Sequence, residues 1–176
     1  MTYSLNVPLP GAIYDRLHGL LPHLSECSQR RRDPTLVCKR IPTAGQADPP
    51  GVSHLRTELA PAVAAAGAVL TDGCPVTIRG VDTFDAPPGG AAPVLYLGVD
   101  SPALQRLHAA LCGHLEPVAG LEATAYVPHV TVARGCPPSS IDGAVTAGVE
   151  PLSFHVDALE LYDSRHRAAV TRFALP

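Results

Sequence analysis

No segment of the chain reaches about 18 consecutive apolar residues, the length that reads as a membrane-spanning helix. The opening stretch, MTYSLNVPLPG, has neither a basic n-region nor an apolar run, so it does not read as a signal peptide. An excess of positive charge is also missing. Thirteen basic and 16 acidic residues leave a formal net charge of −3. No global field therefore draws in nucleic acid, and such a partner would have to be met by a local basic cleft. The five cysteines (Cys27, Cys38, Cys74, Cys112 and Cys136) are odd in number, and no two stand as C-x-x-C. That argues against a disulfide framework and a structural zinc site, and it leads us to expect reduced thiols in a cytoplasmic protein. No His, Asp and Glu set has metal-ligand spacing, so neither a metal nor another cofactor is expected.

What is present is enough for a folded core. The chain has 176 residues, 46% of them apolar, and a mean hydropathy of +0.15. This fits one domain or a compact two-lobed unit. Nineteen prolines and 15 glycines are scattered as turn punctuation rather than gathered in one tail, which predicts proline-rich loops in a folded chain. Basic clusters occur locally at Arg30-Arg31-Arg32, Lys39-Arg40 and Arg165-His166-Arg167.

Periodicity divides the chain. Residues 2–9 alternate like a strand, and Pro10 opens a helix with Ile13, Leu17, Leu20, Leu21 and Leu24 on one face. PTLVCKRI (34–41) reads as a strand and 42–53 as a loop. A helix follows from about 54 to 70, with Ser53 as its N-cap and Pro61 expected to kink or restart it. PVTIRGV (75–81) and VLYLGV (94–99) read as an antiparallel pair. Asp100 or Ser101 then caps a helix with Pro102 at its first position and leucines at 104, 107, 111 and 115. YVPHVTVAR (126–134) is a strand, 139–147 a weak helix, and 152–163 with 168–175 a closing strand pair. Mixed strands and helices with hairpin-like pairs suggest an α+β fold. In each half a leucine-spaced helix leads to a strand opening on proline and ending on a basic residue, PTLVCKR and PHVTVAR, which suggests two pseudo-equivalent lobes.

PHVTVAR carries the chemistry. On a strand, residues two apart share a face, so His129 and Thr131 point together while Val130 and Val132 face a core. A histidine near its ordinary pKa moves protons at neutral pH, and a neighbouring hydroxyl can donate to a phosphate oxygen. Here the chain resembles the two-histidine (2H) phosphoesterases, which include the RNA 2′,3′-cyclic phosphodiesterases, or 2′-5′ RNA ligases. The resemblance runs through YSLNVPLP, VTIRGVDTF, VLYLGVD, SPALQRLHAALCGHL, YVPHVTVAR and LELYDSRHRAAVTRFAL. It implies a bilobal, pseudo-symmetric fold of two antiparallel sheets flanking a central groove with helices outside, spanning 1–176. It further implies a metal-independent phosphodiesterase in which His129 is the acid or base and Thr131 holds the phosphate. The partners implied are RNA ends or small cyclic nucleotides, with no membrane, and a monomer is expected.

The first of the family's two His-x-Thr motifs is degenerate. With the prolines aligned, Thr35 stands where the resemblance implies a histidine and Val37 where it implies a threonine. A register two residues earlier would make Asp33-Pro34-Thr35 an Asp-x-Thr. Strand parity leaves both open, because Asp33, Thr35 and Val37 share a face. A threonine hydroxyl is too weak an acid or base to replace a histidine, whose loss costs roughly 10²–10⁴ in rate. Thr35 is kept as a hydroxyl donor mirroring Thr131. Lys39 shares its face and could approach a phosphate, or be a solvated strand end. Arg40 and Arg134 occupy equivalent positions but have the opposite parity, so they reach a phosphate only if the strands twist or end there. His54, at the start of its helix, and Arg165 and His166, in a hairpin tip, are further binding candidates. His18, His23, His108 and His114 read as helix-surface or boundary residues, and Cys38 as a small core residue. The alternative reading is a 2H-like module that binds nucleotide or RNA ends without turnover.

Overall fold

The structure is a computed structural model describing residues 3–42 and 50–176. Thr2 of the first expected strand, and positions 43–49 of the loop expected at 42–53, lie outside the described residues. The chain order is β1 (Tyr3–Val7), α1 (Gly11–Leu20), β2 (Gln29–Arg30), β3 (Leu36–Ile41), α2 (Val52–Gly67), β4 (Pro75–Phe84) and β5 (Val94–Asp100). Then come α3 (Pro102–His114), β6 (His129–Arg134), α4 (Pro138–Ala147), β7 (Leu152–His155), β8 (Ala158–Asp163) and β9 (Ala168–Ala174).

The strands form one antiparallel sheet in the order β7-β4-β5-β6-β3-β1-β8-β9, with β2 added to β6. That order is two four-stranded halves, β7-β4-β5-β6 and β3-β1-β8-β9, laid end to end with opposite sense. They meet where Leu36 of β3 pairs with Val130 of β6. The two expected sheets are thus continuous through one seam.

Burial explains the elements. Leu5, Leu36, Leu97, Val130 and Leu161 carry no exposed surface, and each such side chain contributes about 1.5–3 kcal/mol over an exposed one. Helix α3 buries Leu104, Leu107 and Leu111 on the expected stripe, and Ser101 caps it by accepting from the Leu104 amide. Helix α2 starts at Val52 behind Gly51 rather than at a Ser53 cap, and Pro61 lies inside it without ending it. Leu55 and Leu59 before the proline, and Val63 and Ala66 after it, are all buried. Packing on both sides therefore outweighs the one amide that proline removes. The run expected as one strand at 152–163 is two. It breaks at Val156–Asp157, with β7 pairing β4 in one half and β8 pairing β1 in the other.

One expectation is overturned. Cys27 and Cys136, 109 residues apart, form a disulfide, leaving Cys38, Cys74 and Cys112 free. Sequence spacing missed it because β2 is what brings the two together, with Gln29 opposite Arg134. Cys38 is in the core, as expected. Among the described residues no helix is long and apolar enough to cross a membrane.

Candidate functional site

A cavity of about 500 Å³ opens over the seam between the halves, lined by residues of both. Its floor is built by two matching irregularities. In β3, Lys39 stands opposite Leu5 but Val37 opposite Asn6, so Cys38 is an extra residue. In β6, Ala133 stands opposite Leu95 but Thr131 opposite Tyr96, so Val132 is the extra one. A bulge shifts side-chain parity by one. Thr35, Val37 and Arg40 are half-buried, with Leu36, Cys38 and Lys39 fully buried between them; His129, Thr131 and Arg134 repeat the pattern around Val130, Val132 and Ala133. Thr35 is thereby the counterpart of His129, and Val37 of Thr131, which settles the register in favour of the aligned prolines. Asp33 lines the cavity wall as an exposed residue.

His129 has one ring nitrogen fixed by the backbone. Its Nδ1 lies 2.7 Å from the carbonyl oxygen of Val127. A carbonyl only accepts, so Nδ1 carries the hydrogen and the lone pair falls on Nε2. Phe84 and Tyr96 meet the ring edge-on, with centroids 5.1 and 5.4 Å away, and they stack on each other. Burial pulls the imidazole below its ordinary pKa, the bond to Val127 opposes that, and the charges of Arg40 and Arg134 add to the lowering. The ring is therefore neutral at neutral pH. Burial and the carboxylate of Asp82 push the Tyr96 phenol up to about 12, and its hydroxyl is committed to that carboxylate at 3.1 Å. Tyr126 donates to the Val37 carbonyl at 2.9 Å.

The bulge corrects the face of Lys39. It is not a cavity residue and not a solvated strand end: it is fully buried, and its Nζ donates to Glu122 Oε2 at 2.7 Å and to the carbonyls of Arg40 and Glu116. Burial alone would raise the Glu122 carboxyl, but Lys39 and the amides of Val118 and Arg40 outweigh it and hold the carboxyl below its usual range. His108 is likewise buried rather than on a boundary. Its Nδ1–H donates to the Cys38 carbonyl at 2.7 Å, its Nε2 accepts from the Ala123 amide at 3.0 Å, and its ring stacks on Tyr126. These bonds fasten the segment that leads into His129 onto β3 of the opposite half.

The other expected binding residues divide. Arg40 and Arg134 line the cavity, brought round by the bulges. His54 does not: it is exposed on α2 and paired with Glu58 at 3.0 Å. Arg165 and His166 also lie off the cavity, because Asp163 draws both to itself, the Arg165 amide at 2.8 Å and the His166 ring at 2.8 Å. Their neighbours Ser164 and Arg167 line it instead, the backbone turning left-handed at Arg167 (φ 53°). Sequence reasoning missed Phe84, Tyr96, Tyr126 and Tyr162 altogether. It noted Arg30-Arg31-Arg32 as a cluster, but nothing local showed that these residues line the same cavity. Among the described residues no group of three His, Cys, Asp or Glu side chains could hold a metal ion.

Three solved structures share the fold over 99% of this chain. TT0787 of Thermus thermophilus superposes with a TM-score of 0.62 at 15% identity, over 98% of its own length. Escherichia coli LigT complexed with 3′-AMP gives 0.62 at 19% identity over 96%. Usb1 of Kluyveromyces marxianus gives 0.54 at 12% identity over 96%. No curated protein sequence matches the chain significantly. The family model described as the 2′-5′ RNA ligase superfamily matches residues 37–168, well over half of the chain. The chain therefore belongs to the 2′-5′ RNA ligase superfamily, within the two-histidine phosphoesterases.

Proposed function

We propose that the cavity takes the phosphodiester of a nucleotide and hydrolyses it, the substrate class being RNA with a 2′,3′-cyclic phosphate end or a related cyclic or 2′-5′-linked nucleotide. The observation that carries this reading is the cavity floor, where a neutral imidazole with Nε2 free stands beside a hydroxyl and two guanidinium groups. The superfamily and the 3′-AMP held by LigT support a nucleotide as the ligand. In the hydrolysis, His129 Nε2 takes a proton from water as that water's oxygen bonds to phosphorus. The bond from phosphorus to one ribose oxygen breaks, and that oxygen takes its proton from solvent. Thr131 donates to a non-bridging oxygen, Thr35 adds a second hydroxyl from the place that matches His129 in the other half, and Arg40 and Arg134 offset the charge that builds up.

A second reading has its own observation. Thr35 and Val37 occupy the places of a second histidine and hydroxyl, so the site could bind nucleotide without turning it over. Incubation of a short RNA ending in a 2′,3′-cyclic phosphate, with wild type and His129→Ala, separates the two. Turnover by wild type, reduced roughly 10²–10⁴-fold in the variant, is the expected result. No turnover by either, with nucleotide binding retained in calorimetry, would establish the binding module. Equal turnover by both would remove His129 from the mechanism.

A further inference from the structure

The cavity holds more positive charge than one phosphodiester can use. Six of the chain's 13 basic residues line it: Arg30, Arg31, Arg32, Arg40, Arg134 and Arg167. Among the described acidic residues, only Asp33 does. A chain of net charge −3 does not reach that ratio by composition alone. Among the described residues Arg30, Arg31 and Arg32 make no ion pair with a carboxylate.

These arginines sit on a fastened strap. β2 pairs antiparallel with β6, Gln29 opposite Arg134 and Arg30 opposite Ala133. The Arg31 amide donates to the Val132 carbonyl at 2.9 Å. Ser28 donates to the carbonyls of Gly135 and Arg134 through its amide and hydroxyl, and the Cys27–Cys136 disulfide closes the outer end. The strap therefore runs inward along β6 toward Thr131 and His129. Arg31 is close enough to Arg134 to add to the lowering of that guanidinium's pKa by burial. Two like charges thus lie near one another in the cavity lining, with Arg134 Nη1 donating to the Gly89 carbonyl at 2.9 Å.

A cyclic phosphodiester offers one negative charge and two non-bridging oxygens. Thr131, Arg40 and Arg134 already supply more donors than those oxygens accept. Arg30 stands opposite Ala133, which the bulge at Val132 leaves one ladder position beyond Thr131 on β6. We propose that Arg30 and Arg31 form a second phosphate subsite, which takes the next phosphodiester of a ribonucleotide strand whose terminal phosphate lies over His129. The ligand is then an oligonucleotide of two or more nucleotides rather than a mononucleotide. This inference rests on the reading of the His129 centre given above.

The test measures binding of three product-like ligands that cannot be turned over. They are 3′-AMP, the dinucleotide ApA with a 3′-phosphate, and the same dinucleotide with a neutral methylphosphonate in place of its internal phosphodiester. The charged dinucleotide should bind at least about tenfold tighter than the neutral one, with a log–log salt slope steeper by about 0.7, the share of one single-strand phosphate. Arg30→Ala/Arg31→Ala should abolish both differences and leave 3′-AMP binding within about twofold; Arg30→Gln/Arg31→Gln serves if the first variant melts early. Equal binding of charged and neutral dinucleotides, or a difference that survives in the variants, would overturn the subsite. If 3′-AMP fails to bind while the charged dinucleotide binds through the strap, the subsite stands and the His129 reading falls. If nothing binds, both fall.

Discussion

At the scale of single residues, two histidines are held neutral by geometry as well as by burial. His129 gives its Nδ1 hydrogen to Val127, and His108 uses one ring nitrogen to donate and the other to accept. Protonating His108 would leave the Ala123 amide hydrogen facing a second hydrogen. Both imidazoles have folded pKa values below the ordinary 6.5, with burial the largest cause. In the unfolded chain both take up a proton near 6.5, and in the folded chain only at lower pH. The stability they contribute is therefore complete above about pH 6.5 and is lost as pH falls through the folded values. The melting temperature should drop between pH 7.5 and 5.5, and His108→Gln should flatten that drop. A level profile in the wild type would contradict the burial of both rings. Turnover should follow the same direction, with a plateau at neutral pH and a fall on the acidic side as His129 ceases to be a base.

At the scale of elements, the bulge decides what each strand presents. A strict two-residue alternation puts Lys39 beside Thr35 and turns Arg40 and Arg134 away. One extra residue in each strand reverses both outcomes. His129, Thr131 and Thr35 were legible in the sequence because they precede the bulge. The arginines beyond it were legible only as conditional candidates, because a bulge is set by the partner strand's register and leaves no mark of its own in VCKR or VARG. The break between β7 and β8 was hidden for a similar reason: LSFHVDALELYD has no glycine or proline to punctuate it. The aromatic contacts of His129 come from β4 and β5, more than 30 residues away in sequence, and nothing local points to them. The equivalence of β3 and β6 makes a direct test possible. Thr35→His with Val37→Thr rebuilds the missing motif on a floor already shaped for it. It should raise cyclic-phosphodiester turnover by roughly 10²–10⁴-fold, and turnover no faster than wild type would show that the vacant half does not face the reacting phosphate. The buried Lys39 makes a separate prediction. Lys39→Ala removes the nearer and fully buried cation of Glu122, leaving only Arg40 at 3.9 Å, and urea unfolding should show a loss of about 3–5 kcal/mol.

At the scale of the whole molecule, the disulfide and the seam work together. Cys27 belongs to the segment before β3 and Cys136 follows β6, so the bond ties that segment to the far end of β6, beyond the Gln29–Arg134 pair, while Leu36 meets Val130 at the strand's other end. Its loop spans 109 residues, for which chain entropy gives a stabilisation of about 4–5 kcal/mol. Adding a dithiol reductant, or replacing Cys27 by serine, should lower the urea midpoint accordingly. An unchanged midpoint would mean that the sheet alone sets the stability.

The palindromic strand order also bears on synthesis. The half β7-β4-β5-β6 comes from one uninterrupted stretch, residues 75–155, whereas the half β3-β1-β8-β9 is assembled from the two ends of the chain. Strand β1 pairs with β8 through partners as far apart as Tyr3 and Asp163. As the chain leaves the ribosome, β1 therefore keeps an open hydrogen-bonding edge until almost the last residues emerge, and such an edge invites pairing with other chains. Nascent chains stalled short of β8 should be the aggregation-prone species, and the final hairpin should be what makes the product safe to release.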